Sequence, residues 1–427
     1  MLAILFLLCL LFSILTLRDQ HSSGLQAARQ LLGQIKSLDS DSRFLIIAPR
    51  NEQDDLFVRS IGDGLTAKNL RASIVQGDPS EIRALLGALS DSGGNKPQIL
   101  TTVSYAPVVS NIVAQFPEMA SAEIFTPPSY RWPTFLLPDN IRNVANQIAV
   151  IAIIAIGMTM VIITAGIDLS VGSLVALSAV VIAWMVGFMG GADATYLEMF
   201  LAGAIAVALC GITGAFSGIM ITRFNIPPFI ATLAIMQVAA GMAYIISRGK
   251  PIYQLPESFI VLGRGAEPLL KIPYAVILMI GLYLAANFLM SRTTLGRYIY
   301  AVGGNSEAAR LAGIRVKSVL LFVYTLCGML AGLGGVIMAS QLKSGAPTYG
   351  LTYELYVIAA VVVGGTSLSG GEGRIFGTLI GAFIIAVIQN GMNLTNVETY
   401  SQKVVLGLVI LAAVMLDRIK QRRMARA

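Results

Sequence analysis

From residue 143 onward the chain is a succession of long apolar runs nearly free of charge. They fall at about 148–166, 171–189, 199–222, 226–246, 272–290, 318–341, 353–366, 375–396 and 402–417. A helix needs roughly 20 such residues to cross a bilayer, where only internally hydrogen-bonded backbone is stable. With the apolar run at 2–17 the total is ten. The run 353–366 is short and reads as a half-helix or re-entrant piece. Residues 2–17 read as an uncleaved span or anchor. No basic residue precedes them and no small-residue cleavage site follows Leu17.

Residues 18–142 differ: polar and nearly neutral, with 12 Lys/Arg against 13 Asp/Glu. FLIIAP (44–49), RASIVQGD (71–78) and PQILTTV (97–103) read as strands. DDLFVRSIGDGLTAKN (54–69), with Leu56, Ile61 and Leu65 near one face, and PSEIRALLGALSDSG (79–93) read as helices. A helix at about 106–116 and a strand near 122–126 complete the alternation. Strand-helix-strand order argues for a small parallel sheet with covering helices. This segment resembles the first lobe of a periplasmic sugar-binding protein.

The expected fold is a polytopic all-α membrane protein of about ten spans, with a small extracytoplasmic α/β domain inserted after the first span. The expected divisions are a first span (1–17), the insert (18–130), a Pro-rich linker (131–142), the transmembrane domain (143–417) and a basic tail (418–427). The loop 291–317 carries Arg292, Arg297, Arg310, Arg315 and Lys317 against Glu307. The stretch 417–427 carries Arg418, Lys420, Arg422, Arg423 and Arg426 against Asp417. Each nets +4, against +7 for the whole chain. Positive loops stay inside, so both segments are expected in the cytoplasm and 18–142 outside. The basic balance thus reports topology, and no nucleic-acid partner is invoked.

Enzyme chemistry finds little support. LSGGE (368–372) is one letter from LSGGQ, the signature peptide of ATP-binding cassette ATPases. Such an ATPase also needs G-x-x-x-x-G-K-[S/T], whose backbone N–H groups and Lys hold phosphates. Here Gly249-Lys250, the one Gly-Lys pair, is followed by Pro251. His21 is the single histidine, so no HExxH zinc site and no buried Ser-His pair is available. Cys9, Cys210 and Cys327 sit in apolar runs and read as packing residues. No enzyme activity, cofactor or metal is expected.

LSGGE has another reading. Gly365 to Gly371 follows G-x-x-L-S-x-G, and so does Gly166 to Gly172. Each stands between two apolar runs. They read as two pseudo-equivalent helix breaks, where Gly lets the backbone turn and Ser170, with Asp168, caps the next helix.

Three blocks then carry a resemblance. NQIAVIAIIAIGMTMVIITAGIDLSVGSLVALSA (146–179), TTLGRYIYAVGGNSEAARLAGIRV (293–316) and YELYVIAAVVVGGTSLSGGEGRIFGTLIGAFIIAVIQNGMNL (353–394) closely resemble the ribose-type branch of ABC sugar permeases. The resemblance covers roughly 135–417. It implies a subunit of the inner (cytoplasmic) membrane that dimerises with a second permease subunit. It also implies that an extracytoplasmic sugar-binding protein delivers a monosaccharide and that a separate cytoplasmic ABC ATPase drives import. Residues 18–130 depart from the family, whose first two spans are joined by a short stretch.

For coupling to the ATPase, the loop 293–316 is the candidate. Gly296 and Arg297 precede a turn at Gly303-Gly304-Asn305, and Ser306 is expected to cap a short helix from Glu307 through Ala308 to Ala312, ending at Gly313. Asp168, the acid most closely flanked by membrane core, reads as a gate or sugar contact, or as a helix cap. Sugars need partners that both donate and accept. Thr159, Gln237, Gln389, Asn390 and Asn393 are therefore candidates for the path, or interhelical hydrogen bonds. Gly214/Gly218, Gly328/Gly332 and Gly377/Gly381 read as close-packing pairs. A membrane receptor and a secondary transporter are the alternatives; the first lacks a cytoplasmic output domain, the second lacks further carboxylates deep in the spans.

Overall fold

The computed structural model describes residues 1–35, 43–91, 98–117, 122–253 and 255–424. Arg426 of the basic tail lies outside the described residues. The chain divides into two compact units, Leu17–Thr134 and Met1–Thr16 with Phe135–Ala427. Helix α1 (Leu2–Leu15) belongs to the larger one.

The smaller unit runs β1 (Leu17–His21), α2 (Gly24–Gln34), β2 (Arg43–Ala48), α3 (Glu52–Thr66), β3 (Arg71–Gln76), α4 (Pro79–Asp91), β4 (Gln98–Thr101), α5 (Ala106–Val113), β5 (Ile124–Phe125) and β6 (Ser129–Pro133). Strands β3-β2-β4-β5 form a parallel sheet in that order. Side chains of β2 alternate between two cores. Phe44, Ile46 and Ala48 join α2 and α3 residues such as Leu31, Phe57, Ile61 and Leu65. Leu45 and Ile47 join Ile82, Leu86, Val109 and Ile112 of α4 and α5. A strand covered on both faces reads as the continuous apolar run seen in FLIIA. Leu56, expected on the inner face of α3, is 52% exposed; Phe57 and Val58 are buried instead. Strand β1 pairs antiparallel with β6, so part of the expected 131–142 linker is strand, and helix begins again at Pro138.

The larger unit continues with α6 (Pro138–Ile163), α7 (Val171–Met189), α8 (Tyr196–Phe224), α9 (Pro228–Ser247), the short α10 (Val261–Arg264), α11 (Tyr274–Arg292), α12 (Thr294–Gly304), α13 (Ser306–Leu311), α14 (Val316–Leu342), α15 (Tyr353–Val363), α16 (Ile375–Leu394) and α17 (Thr399–Met424). Among the described residues, seven helices are long and apolar enough to cross a bilayer: α6, α7, α8, α9, α11, α14 and α16. The other three expected runs are shorter apolar helices, Leu2–Leu15, Tyr353–Val363 and Thr399–Met415.

Helix α6 is apolar on all sides, packs against α14, α16, α15 and α11, and is almost wholly buried from Ile148 to Ile163. Helices α8 and α14 cross closely because Gly214 and Gly328 meet: a Cβ on Gly214 would lie 3.3 Å from Gly328 Cα. Gly377 and Gly381 serve α15 and α16 in the same way, against Gly364 and Ala360. After α14 the chain turns back as non-helical backbone. Ser344 to Pro347 and Gly350 are buried, and Gly350 packs on Gly172 and Val175 of α7. Irregular backbone at membrane depth is tolerated where protein surrounds it. That return leaves only an 11-residue helix for α15.

Candidate functional site

The two helix breaks share a construction. Helix α6 ends with Gly166 N donating to Val161 O and Ala165 N to Ile162 O, and Ala165 has φ +61°. Helix α15 ends with Thr366 N donating to Val361 O and Gly365 N to Val362 O, and Gly365 has φ +90°. Both are Schellman ends with a left-handed residue at the same place. Ala165 therefore matches Gly365, one position off the alignment of Gly166 with Gly365 that the motif suggests. A side-chain turn comes next in each. Ser170 N donates to Asp168 Oδ1 (2.9 Å), and Ser369 N to Ser367 Oγ (3.2 Å). The breaks then diverge, because α7 starts at Val171 but α16 only at Ile375.

Asp168 is fully buried. Its Oδ1 also accepts from Ser170 Oγ at 2.6 Å. Ser170 donates its hydroxyl to Asp168 and makes no side-chain cap on α7, contrary to expectation. The backbone explains this: Ser170 is already helical (φ −81°, ψ −14°), whereas a residue whose side chain caps a helix is extended. The buried Tyr324 hydroxyl has no hydrogen-bond partner among the described residues, and the Cys327 thiol of the same helix reaches the Asp168 carboxylate. Thr232 of α9 ties the same break in place, accepting from Leu169 N (3.1 Å) and donating to Ile167 O (3.3 Å).

The loop between α11 and α14 is two helices. Thr293 caps the first, accepting from Gly296 N at 3.2 Å. Gly303 and Gly304 are the last residues of that helix and form no turn. Asn305, and not Ser306, caps α13: its Oδ1 accepts from Ala308 N at 2.9 Å, the donor three residues on that a cap side chain reaches. Helix α13 ends at Leu311, and Gly313, with φ +86°, turns the chain away. Its surface carries Glu307 paired with Arg310 (2.7 Å), exposed Ala308, and Leu311, 81% exposed. Arg297 is exposed on α12.

The end of α12 is where these parts meet. Ile163 O, the last carbonyl of α6, accepts from Gly371 N of the second break at 2.8 Å. Gly303 packs on that same bond: a Cβ there would overlap Ile163 O and stand 2.7 Å from Gly371 N. Tyr300 Oη donates to Gly373 O at 2.8 Å. Backbone of α6, α12 and the LSGGE break therefore touches directly, with no side chain between.

The polar span residues separate into distinct roles. Thr159 and Thr378 share a buried hydroxyl contact of 2.7 Å between α6 and α16. Asn390 and Asn140 exchange amide bonds of 2.9 and 3.0 Å. Asn393 Oδ1 accepts from Gln402 Nε2 of α17 at 2.8 Å. Gln237 is exposed on α9. Gln389 lines a cavity of about 270 Å³, with Gln147, Gln341, Tyr353 and Tyr356. Those four come from α6, α14 and α15, and no local spacing in the sequence links them. Glu354, at the start of α15 and against Gly172, is a second carboxylate beside a break, and no motif in the sequence marks it.

A bundle of membrane-length helices, with interrupted helices meeting at an exposed helical loop, is the architecture of a polytopic membrane protein. The family described as "Branched-chain amino acid transport system / permease component" matches residues 140–414. The ribose import permease protein RbsC of Escherichia coli K12 is 45% identical over 293 residues, 68% of this chain and 88% of that protein. RbsC of Bacillus subtilis 168 is 46% identical over 290 residues, 67% and 87% of the two chains. The D-allose transport system permease protein AlsC of E. coli K12 is 40% identical over 285 residues, 67% and 85%. No solved structure matches the chain significantly. The chain belongs to the ribose-type branch of ABC sugar permeases.

Proposed function

We propose that this chain is the membrane-spanning permease subunit of an ABC importer for a monosaccharide, ribose-like or related, driven by a separate ATPase subunit. The observation that carries the reading is the backbone junction of Gly303, Ile163 and Gly371. An ATPase groove grips α13, with Leu311 and Ala308 on its exposed face. Its closure pushes α12. Gly303 carries the push to both helix breaks, because backbone contacts transmit displacement without side-chain slack. Gly296, Arg297, Gly304, Asn305, Glu307 and Gly313 shape that grip.

In this reading the chain sits in the inner membrane with ten spans, counting α1, α15 as a half-helix, and α17. The α11–α14 loop and the basic tail face the cytoplasm, and the α/β unit faces outside, as Lys/Arg placement favours. The cavity at Gln389 belongs to the sugar path, since its amides and phenols both donate and accept. Asp168 and Ser170 set the gate beneath it. Gln237 puts an amide on an exposed helix face at mid-span, which lipid disfavours. A second permease subunit covers that face. An extracytoplasmic sugar-binding protein delivers substrate.

The test is co-purification with an ATPase subunit of the same system, followed by ATP turnover in lipid discs with D-ribose and D-allose, with and without the separate binding protein. A stable complex with sugar-stimulated turnover is expected, and Leu311→Cys should cross-link to the ATPase. Absence of any ATPase complex would overturn the reading.

A further inference from the structure

The permease mechanism makes no use of a crevice in the smaller unit. We propose that it is a monosaccharide-binding site, which would make this chain its own sugar receptor; the choice of ligand class rests on the importer reading above.

Topology places the crevice. Strand β2 lies between β3 and β4. The loop after β2 leads to α3, on the face of Phe44 and Ile46. The loop after β4 leads to α5, on the opposite face with Leu45 and Ile47. Adjacent parallel strands whose following loops leave to opposite faces open a crevice at their carboxyl ends, and open α/β sheets bind ligands there. Here that position is a cavity of about 600 Å³, lined by Asn51, Glu52, Asp54, Thr102, Ser104 and His21. Its size falls in the range of small-molecule sites.

The lining is built and polar. Thr102 is 6% exposed, and its hydroxyl meets that of Ser104 at 3.2 Å. Asn51 accepts from Asp54 N (2.9 Å) and donates to Asp54 Oδ2 (2.6 Å), which fixes both side chains. Glu52 makes no ion pair among the described residues. Among the described residues, no Lys or Arg lines the crevice. Arg50, next in the loop, is turned to Gln76 O (3.0 Å) and Glu81 (3.3 Å). Carboxylates without a basic partner repel phosphates and acids. They accept strongly from hydroxyl groups, while the Thr and Ser hydroxyls both donate and accept. A neutral polyhydroxyl molecule of monosaccharide size is the ligand this chemistry takes.

The experiment uses the full chain in lipid discs, without ATPase or separate binding protein, titrated by calorimetry with D-ribose, D-allose and L-arabinose. Saturable binding of at least one sugar is expected. The double variant Glu52→Gln/Ser104→Ala, both at exposed positions, should weaken it about tenfold or more with the unfolding midpoint unchanged. No saturable binding up to roughly 10 mM would overturn the proposal. So would binding that the double variant leaves unaltered, which would place the sugar elsewhere in the chain. ATPase-driven uptake by the unaltered chain, measured separately, judges the importer reading alone; its loss would leave the titration to decide the crevice.

Discussion

The two helix breaks begin alike and end differently, and the difference lies in what braces each of them. In the first, Asp168 is sealed in the bundle, tied to Ser170 and flanked by Thr232 of α9. In the second, Gly365, Gly370 and Gly371 all have positive φ, and Gly371 hands its N–H to Ile163 O. One break is braced by a buried carboxylate, the other by glycine backbone leaning on α6 and α12. A shared backbone ending therefore says little about what holds the break in place. The residues beyond the ending decide it.

The strongest way to break this comparison is Gly303→Val. Its side chain would enter the Ile163–Gly371 contact, where only backbone could give way, and such overpacking costs about 1–3 kcal/mol or more. Sugar-stimulated ATP turnover should fall to near background while the chain still inserts; full turnover would mean that the junction carries no motion. Next comes Asp168→Ala, which strips Ser170 of two bonds inside the bundle and should cost about 1–3 kcal/mol, read from thermal unfolding in detergent. Asp168→Asn, which keeps an acceptor oxygen, should recover most of it. Ser367→Ala at the matching turn of the second break should cost about 0.5–1 kcal/mol. Equal losses at the two turns would erase the distinction between a side-chain brace and a backbone brace. A double-mutant cycle of Thr159→Val and Thr378→Val should return a coupling of about 0.6 kcal/mol, since membrane hydroxyl pairs are weak. The smallest effect belongs to Arg310→Gln. Its pair with Glu307 is exposed, so the unfolding midpoint should shift by less than about 0.5 kcal/mol equivalent.

Periodicity and composition made most elements legible. The strands at 44–49, 71–78 and 97–103 lie within two residues of β2, β3 and β4; β2 and β4 are short buried runs between turn residues, whereas β3 is a mostly exposed edge strand. Helix α2 escaped, since GLQAARQLLGQ has few large apolar residues to set a period. Leu56 misled because Phe57 and Val58 beside it compete for the same face. Adjacent polar residues blurred the caps, so Asn305 took the place expected of Ser306. At the candidate site, the exposed loop between α11 and α14 and the buried Asp168 were visible from charge, glycine and position. The partners of Gln389 were not, because Gln147, Gln341, Tyr353 and Tyr356 are brought together only by packing of separate helices.

The pairing of β1 with β6 has a consequence for how such a chain is assembled. Leu17 and Pro133 are register partners, so the smaller unit is entered and left by neighbouring strands, with Cα atoms about 5 Å apart. A segment whose two ends close on each other behaves as a cassette: it interrupts a host sequence without asking the host to stretch. Excision between Leu17 and Pro133, with a two-residue bridge, should leave a shorter chain that still inserts and folds. Moved into a surface loop of an unrelated protein, residues 17–134 should travel as a unit.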